Sequence, residues 1–250
     1  MLSVLKIGGS VLRDPVAFET TARFIRERLA SSAGERLIVT VSAEYGATDA
    51  LLDEARAITP DPDEETLDLL WSTGEVRSAA LLALHLQRLG VRAKAVSVHQ
   101  TGLTWVDGRA RVQPMRLLAV LGRTRVAIVP GFLAVRAGGA IRSLGRGGSD
   151  LTAVLMAAAL RADRCELVKD VAGYHTADPH RSADAKPIRN LSIEDALEMA
   201  RDGCDLVQQA ALELARASSL PLIVRSLAAN APVTYVNPET TLPAHVAACQ

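Results

Sequence analysis

Three observations predict an α/β fold, with a largely parallel sheet covered by helices on both faces. Short apolar runs alternate with stretches of helical spacing along the chain. The runs are apolar throughout, and the glycine-rich segments fall where runs end. Strands that need no polar side are buried on both faces, and the helices that connect parallel strands do the covering. Ligands on such a sheet gather beyond the carboxyl ends of its strands.

The elements follow in order. Val4 to Ile7 reads as a strand entering a tight loop at Gly8-Gly9, and Pro15 to about Ala30 has helical spacing through Val16, Phe18, Ala22, Ile25 and Leu29. Arg36 to Ser42 is a β-branched strand, Ala47 to Ile58 a helix, and Thr59 to Asp63 a Pro- and Asp-rich loop. Glu75 to Leu89 is a helix that stops at Gly90. Then come a strand over Val91 to Val98, a helix near Pro114 to Leu121, and a strand over Val126 to Val129 closed by Pro130-Gly131. Leu151 to Leu160 is a helix and Cys165 to Val171 a strand. Ser192 to Arg201 and Leu206 to Ala217 are helices, and Leu222 to Ser226 and Val233 to Val236 are strands. There is no internal repeat or low-complexity segment.

Composition narrows the functions. The 250 residues are 49% hydrophobic, enough for a substantial core, and 28 basic side chains balance 28 acidic ones. Such a surface has no general attraction for nucleic acid or an anionic membrane, so a bound anion must be held by local geometry. The first residues lack a basic segment followed by a long apolar one. The longest uncharged stretch, around Ser226 to Pro238, falls short of the ~20 residues that span a bilayer. Cys165, Cys204 and Cys249 are scattered with no CxxC, as expected of buried residues in a reducing compartment. The expected location is the cytoplasm.

Three loops carry the chemistry. Lys6-Ile-Gly8-Gly9-Ser10 ends the first strand; paired glycines let backbone N–H groups surround phosphate oxygens, and a lysine neutralises a transferring phosphoryl group. A glycine turn made for packing is the alternative, and a Walker A loop is absent. Gly145-Arg146-Gly147-Gly148-Ser149-Asp150 leads into a helix and offers an arginine suited to a carboxylate. A simple helix cap is the plainer reading, but a cap needs one Ser or Asp and not three glycines and an arginine. Lys169-Asp170 through Asp178-Pro179 follows another strand; a surface turn is the plain reading. His175, Asp178 and His180 have no HExxH or Cys/His spacing that would make them a metal site. Neither a GxSxG elbow nor a dinucleotide GxGxxG after the first strand is present.

Together these segments resemble aspartokinases of the amino acid kinase family over nearly the whole chain. The resemblance rests on Lys6-Ile-Gly8-Gly9-Ser10, Ser42-Ala43, Thr48-Asp49-Ala-Leu-Leu52 and Ser72-Thr73-Gly74-Glu75. Gln100-Thr-Gly102, Val129-Pro130-Gly131-Phe132 and, most specifically, Leu144-Gly-Arg146-Gly-Gly-Ser149-Asp150 extend it. Asp-Val-x-Gly and Thr-Ala-Asp-Pro pieces follow downstream.

The resemblance implies a three-layer αβα sandwich around a mainly parallel sheet, as one domain over 1–250. An amino-acid-binding lobe would span about 1–150 and a nucleotide-binding lobe about 151–250. It implies ATP-dependent phosphorylation of a small amino acid carboxylate, L-aspartate first, with Mg²⁺ brought in by ATP and a homo-oligomer as the assembly. Lys6, Arg146 and Asp150 would be catalytic, and Ser42, Thr48, Glu75, Arg146 and Ser149 would hold the amino acid. Glu75 would face its ammonium and Arg146 a carboxylate. Lys6, Gly8, Gly9, Ser10, Lys169, Asp170, His175 and Asp178 would serve ATP. An ionised carboxylate is already a nucleophile, so alignment and positive charge suffice without a general base.

Departures from the family pattern cluster on the nucleotide side. Lys169 stands where the family usually has threonine, His175 where it has tyrosine and His180 where it has arginine. Asp205 replaces an ATP-contacting lysine, and the lysine gained at 169 is a candidate compensation. The stretch after Val236 is too short for the ACT domains that aspartokinases commonly carry. Three readings stay open: an aspartate kinase, a kinase of another small carboxylate, and a catalytically weak relative that binds a ligand.

Overall fold

The computed structural model describes residues 1–145, 147–179, 182 and 184–238. Its main sheet has eight strands in the order β10-β12-β11-β9-β1-β2-β6-β3. These are β1 (Leu2–Ile7), β2 (Arg36–Val41), β3 (Ala93–Ala95), β6 (Val126–Pro130), β9 (Arg164–Val168), β10 (Asn190–Ser192), β11 (Leu222–Arg225) and β12 (Thr234–Asn237). All neighbours are parallel except β11 and β12. The chain is thus the mainly parallel α/β structure expected.

Alternate residues of each strand face opposite sides of the sheet, and each side has its own core. Val4, Ile38, Val129, Leu167 and Val224 pack with α5 (Gly148–Leu160), α6 (Ile193–Arg201) and α7 (Gln209–Ala217). Leu5, Ile7, Val39, Val41, Ile128 and Val168 pack with α1 (Pro15–Ser31) and α3 (Glu64–Arg88). The remaining helices are α2 (Ala47–Ile58) and α4 (Pro114–Leu121). Helix starts carry local signals: Asp14 accepts the Ala17 N–H at 2.7 Å just before Pro15, and Asp63 accepts that of Thr66 at 2.9 Å.

Several expectations need correction. The helix expected from Glu75 begins at Glu64, because Asp63 caps it and Gly74 is tolerated inside. The strand expected over Val91 to Val98 is only Ala93–Ala95, followed by a 3₁₀ turn at Val98–Gln100. Leu206 to Gln208 precede α7 instead of opening it. The helix expected from Leu151 starts at Gly148, which puts Ser149 and Asp150 in its first turn.

A second sheet was not foreseen. It has the order β5-β4-β7-β8, formed by β4 (Leu103–Val106), β5 (Arg109–Val112), β7 (Leu133–Arg136) and β8 (Ile141–Ser143). Asp107 and Gly108, both at positive φ, turn β4 into β5, as a two-residue Asp-Gly hairpin turn requires. Arg136 and Arg142 of this sheet both pair with Glu64 on α3. Among the described residues, no helix is long and apolar enough to cross a membrane.

Candidate active site

β1 and β2 run in register side by side, so the loops after them open at one edge of the sheet. Gly9 packs directly on the residue after Ser42: a Cβ there would lie 2.8 Å from the Ala43 carbonyl oxygen, so only glycine allows this approach. Gly8 donates its N–H to the Val168 carbonyl at 3.2 Å, which ties the loop to the end of β9. Ser10 Oγ donates to Asp170 Oδ1 at 3.1 Å.

Beneath this loop lies a buried charge cluster. Lys6 Nζ sits 2.8 Å from Asp150 Oδ1, and Lys169 Nζ sits 2.8 Å from Asp150 Oδ2. The ends of two strands, β1 and β9, therefore converge with the first turn of α5 on one carboxylate. Burial opposes ionisation of Asp150, but Lys169 and Lys6 outweigh it and hold the carboxyl well below the usual carboxylate range. For Lys6, burial lowers the pKa, Asp150 raises it and Lys169 lowers it, leaving it at about 8. Two ammonium groups share one carboxylate, so the cluster carries one uncompensated positive charge.

A cavity of about 550 Å³ opens beside Lys6 and Gly9. Of the residues expected to hold an amino acid, Ser42, Thr48, Glu75 and Ser149 all line it. Glu75 is 3% exposed; its Oε1 accepts the Ala43 N–H at 3.2 Å, and its Oε2 has no hydrogen-bond partner among the described residues. Burial raises its pKa to about 7 against the pull of the Ala43 N–H. A buried carboxylate with one unpaired oxygen, on a residue that lines a cavity, is suited to a cationic group.

Part of the cavity lining is aromatic. Trp71, four residues before Glu75, contacts Phe132 edge-to-face, with ring centroids 6.0 Å apart, and donates its indole N–H to the Thr48 carbonyl at 3.2 Å. Neither residue was singled out for the site, because the helix was expected to begin only at Glu75; its start at Glu64 puts Trp71 one turn before Glu75 on the same face. Gly147 is a further surprise. It has φ +71, and a Cβ there would lie 1.7 Å from Gln208 Cγ, so Gln208 is packed onto the second glycine loop.

His175 and Asp178 do not join this cavity. They line a separate one of about 220 Å³ with Val171, Tyr174, Cys204 and Leu206, and His175 Nδ1 lies 3.0 Å from the Gly173 carbonyl oxygen. Asp205 is exposed between two of those lining residues. Lys169 and Asp170, at the end of β9, stand between the two cavities in sequence and contact the first loop and Asp150. Arg146 and His180 lie outside the described residues. Among the described residues no group of three or more His, Cys, Asp or Glu side chains is placed to cage a metal ion.

Proteins similar to this chain in sequence and shape include kinases. The model of the amino acid kinase family matches residues 1–226. An aspartokinase of Geobacillus stearothermophilus is 36% identical over 97% of the chain, and the chain spans 60% of that relative's length. Among solved structures, aspartate kinase from Synechocystis superposes with a TM-score of 0.86 at 36% identity, covering 97% of this chain and 41% of that one. Aspartokinase III of E. coli, in complex with aspartate and ADP, superposes with a TM-score of 0.79 at 26% identity, covering 96% and 66%. With the family model matching residues 1–226 and the chain superposing on aspartate kinase from Synechocystis with a TM-score of 0.86, this chain belongs to the amino acid kinase family.

Proposed function

We propose that the protein transfers the γ-phosphoryl group of ATP to the side-chain carboxylate of a small amino acid, L-aspartate first, to give an acyl phosphate. One observation carries this reading: a buried Glu75 with an unpaired oxygen and the Lys6 ammonium, held by Asp150, line the same cavity. The first suits an α-ammonium and the second a transferring phosphoryl group. Likeness to aspartokinases along nearly the whole chain supports the choice of acceptor.

In this mechanism Glu75 fixes the acceptor's ammonium, while Ser42, Thr48 and Ser149 offer hydroxyls to its carboxylates. Arg146 is assigned to a carboxylate by its place in the glycine loop. The glycine-loop amides and Lys6 hold the γ-phosphoryl group as it passes to the acceptor oxygen. Lys169 supplies the second ammonium on Asp150, the charge expected to compensate for the acidic residue at 205. No base is required, because the acceptor is ionised; preorganised positive charge offsets the approach of two anions. ATP is assigned to the side of the loops that carries Ser10, Lys169 and Asp170, with its base toward His175 and Asp178. Mg²⁺ would travel with the phosphates. Such an ion is held by phosphates and one or two carboxylates, which fits a site with no acidic cage, and Asp170 is the carboxylate beside the glycine loop.

The test is ATP consumption with Mg²⁺ and hydroxylamine across a panel of amino acids, with the acyl phosphate trapped as a coloured hydroxamate. Product with L-aspartate is expected. Product only with another acid would retain the mechanism and change the substrate. No product with any acid, together with no ATP binding by calorimetry, would overturn the reading in favour of a ligand-binding relative.

A further inference from the structure

We propose that Trp71 sets the length of acceptor the cavity admits, selecting a short amino dicarboxylate over its homologue with one more methylene. This rests on the phosphotransfer reading above.

Ala43 donates its N–H to Glu75 Oε1 at 3.2 Å, and its carbonyl oxygen lies where a Cβ on Gly9 would come within 2.8 Å. The carboxylate suited to an ammonium and the loop suited to a phosphoryl group thus both pack on one residue, Ala43. An acceptor anchored at both ends has its length fixed by them. Extra length has to be taken up within the cavity, whose lining includes Trp71 and Phe132.

That aromatic side has little freedom to yield. The Trp71 indole is fixed to α2 by its hydrogen bond to the Thr48 carbonyl and braced against the Phe132 ring. Phe132 itself has φ +70, a left-handed conformation that a bulky side chain adopts only where its surroundings over-determine it. Its N–H donates to Thr152 Oγ1 at 3.1 Å and its carbonyl accepts the Leu144 N–H at 2.7 Å. A braced aromatic surface rejects a bulge that a flexible aliphatic one would absorb, and one methylene in such a pocket is worth about 10–200-fold in kcat/KM.

The experiment compares kcat/KM for L-aspartate and L-glutamate, by hydroxamate formation, in the wild type, Trp71→Phe and Trp71→Leu. The wild type is expected to prefer aspartate, and Trp71→Phe, which keeps an aromatic ring, to retain that preference within about threefold. Trp71→Leu is expected to narrow the ratio by about tenfold or more, mainly by gain on glutamate. An unchanged ratio in a folded Trp71→Leu protein overturns the proposal. A second measurement needs no Trp71 variant: in Trp105→Phe, Trp71 is the only tryptophan left of two. Titration with L-aspartate should shift its fluorescence at a concentration about tenfold or more below that needed for L-glutamate. Equal midpoints, or no shift with either acid, overturn the role of Trp71. Hydroxamate from neither acid in the wild type speaks against the phosphotransfer reading instead, and the fluorescence titration then judges Trp71 by itself.

Discussion

At the scale of single residues, the site sets two titrations against each other. Glu75 is raised to about 7 by burial and Lys6 is lowered to about 8, burial being the largest cause there too. An ammonium-binding carboxylate must be ionised and a phosphoryl-binding lysine protonated, so kcat/KM is expected to be bell-shaped, rising through about 7 and falling through about 8. Stability carries the opposite sign for Glu75. Between 4.5, its ordinary value, and about 7, the folded chain holds a proton that the unfolded chain lacks. Stability therefore declines as pH rises through that window, by on the order of 3 kcal/mol, and the deficit is complete above it. Glu75→Gln should abolish the rising limb, raise the melting temperature at pH 8 and lose most acceptor binding. Thermal melts at pH 5 and pH 8 check it, and equal pH dependence in the two proteins would refute it. Glu75 was legible as a site residue from its Ser-Thr-Gly-Glu segment. Its unpaired oxygen and perturbed pKa were not, because they depend on what α3 is packed against.

At the scale of elements, the two glycine loops differ in what they require. Gly9 is needed because a backbone oxygen from the next strand's loop fills the place of a side chain, whereas Gly147 is needed twice over, for its positive φ and for Gln208. Gly147→Ala should cost about 1–3 kcal/mol from overpacking, with a further 1–2 kcal/mol or so for the left-handed backbone. Adding Gln208→Ala should restore only part of this, since the Gln208 Cβ itself would lie 2.6 Å from the new methyl group. Urea unfolding of the single and double variants measures both, and full recovery in the double variant would sink the account. Helices were readable where they carried their own punctuation, as at Asp14-Pro15, and misjudged where the cap lay well before the apolar face, as at Asp63. The Asp107-Gly108 hairpin had a local signal of its own. Its flanking strands alternate and are short, so they did not resemble the fully apolar strands of the main sheet.

At the scale of the whole molecule, α1 is locked to the sheet by charge as well as by packing. Arg28 donates to Glu35 at 2.8 Å and pairs with Glu166 on β9 at 2.8 Å, with both glutamates buried. Arg225 on β11 lies over the Phe24 ring of α1 and 3.7 Å from Glu166. Among the described residues, removing Arg28 leaves buried Glu35 with only the Ser3 hydroxyl as hydrogen-bond partner and buried Glu166 with only Arg225 at 3.7 Å, so Arg28→Ala should destabilise the fold by about 3–5 kcal/mol. Denaturant unfolding at neutral pH measures it, and a loss below about 1 kcal/mol would place the network among ion pairs that contribute little. Lys169, just after β9, donates its N–H to the Arg225 carbonyl at 2.8 Å, so this network and the charge cluster at the site hang from adjacent strands.

By itself the sequence determined the mainly parallel sheet, because strands apolar on both faces have one stable solution. It also determined which loops matter, because glycines at strand ends are a local feature that chain order preserves. Only the tertiary structure decided that Lys6 and Lys169 share one carboxylate and that His175 and Asp178 open onto a different cavity from Glu75. It alone placed Trp71 against Phe132. Those relations join residues far apart in the chain, and the distance between such residues is set by how helices and strands pack, a quantity that no local pattern of residues encodes.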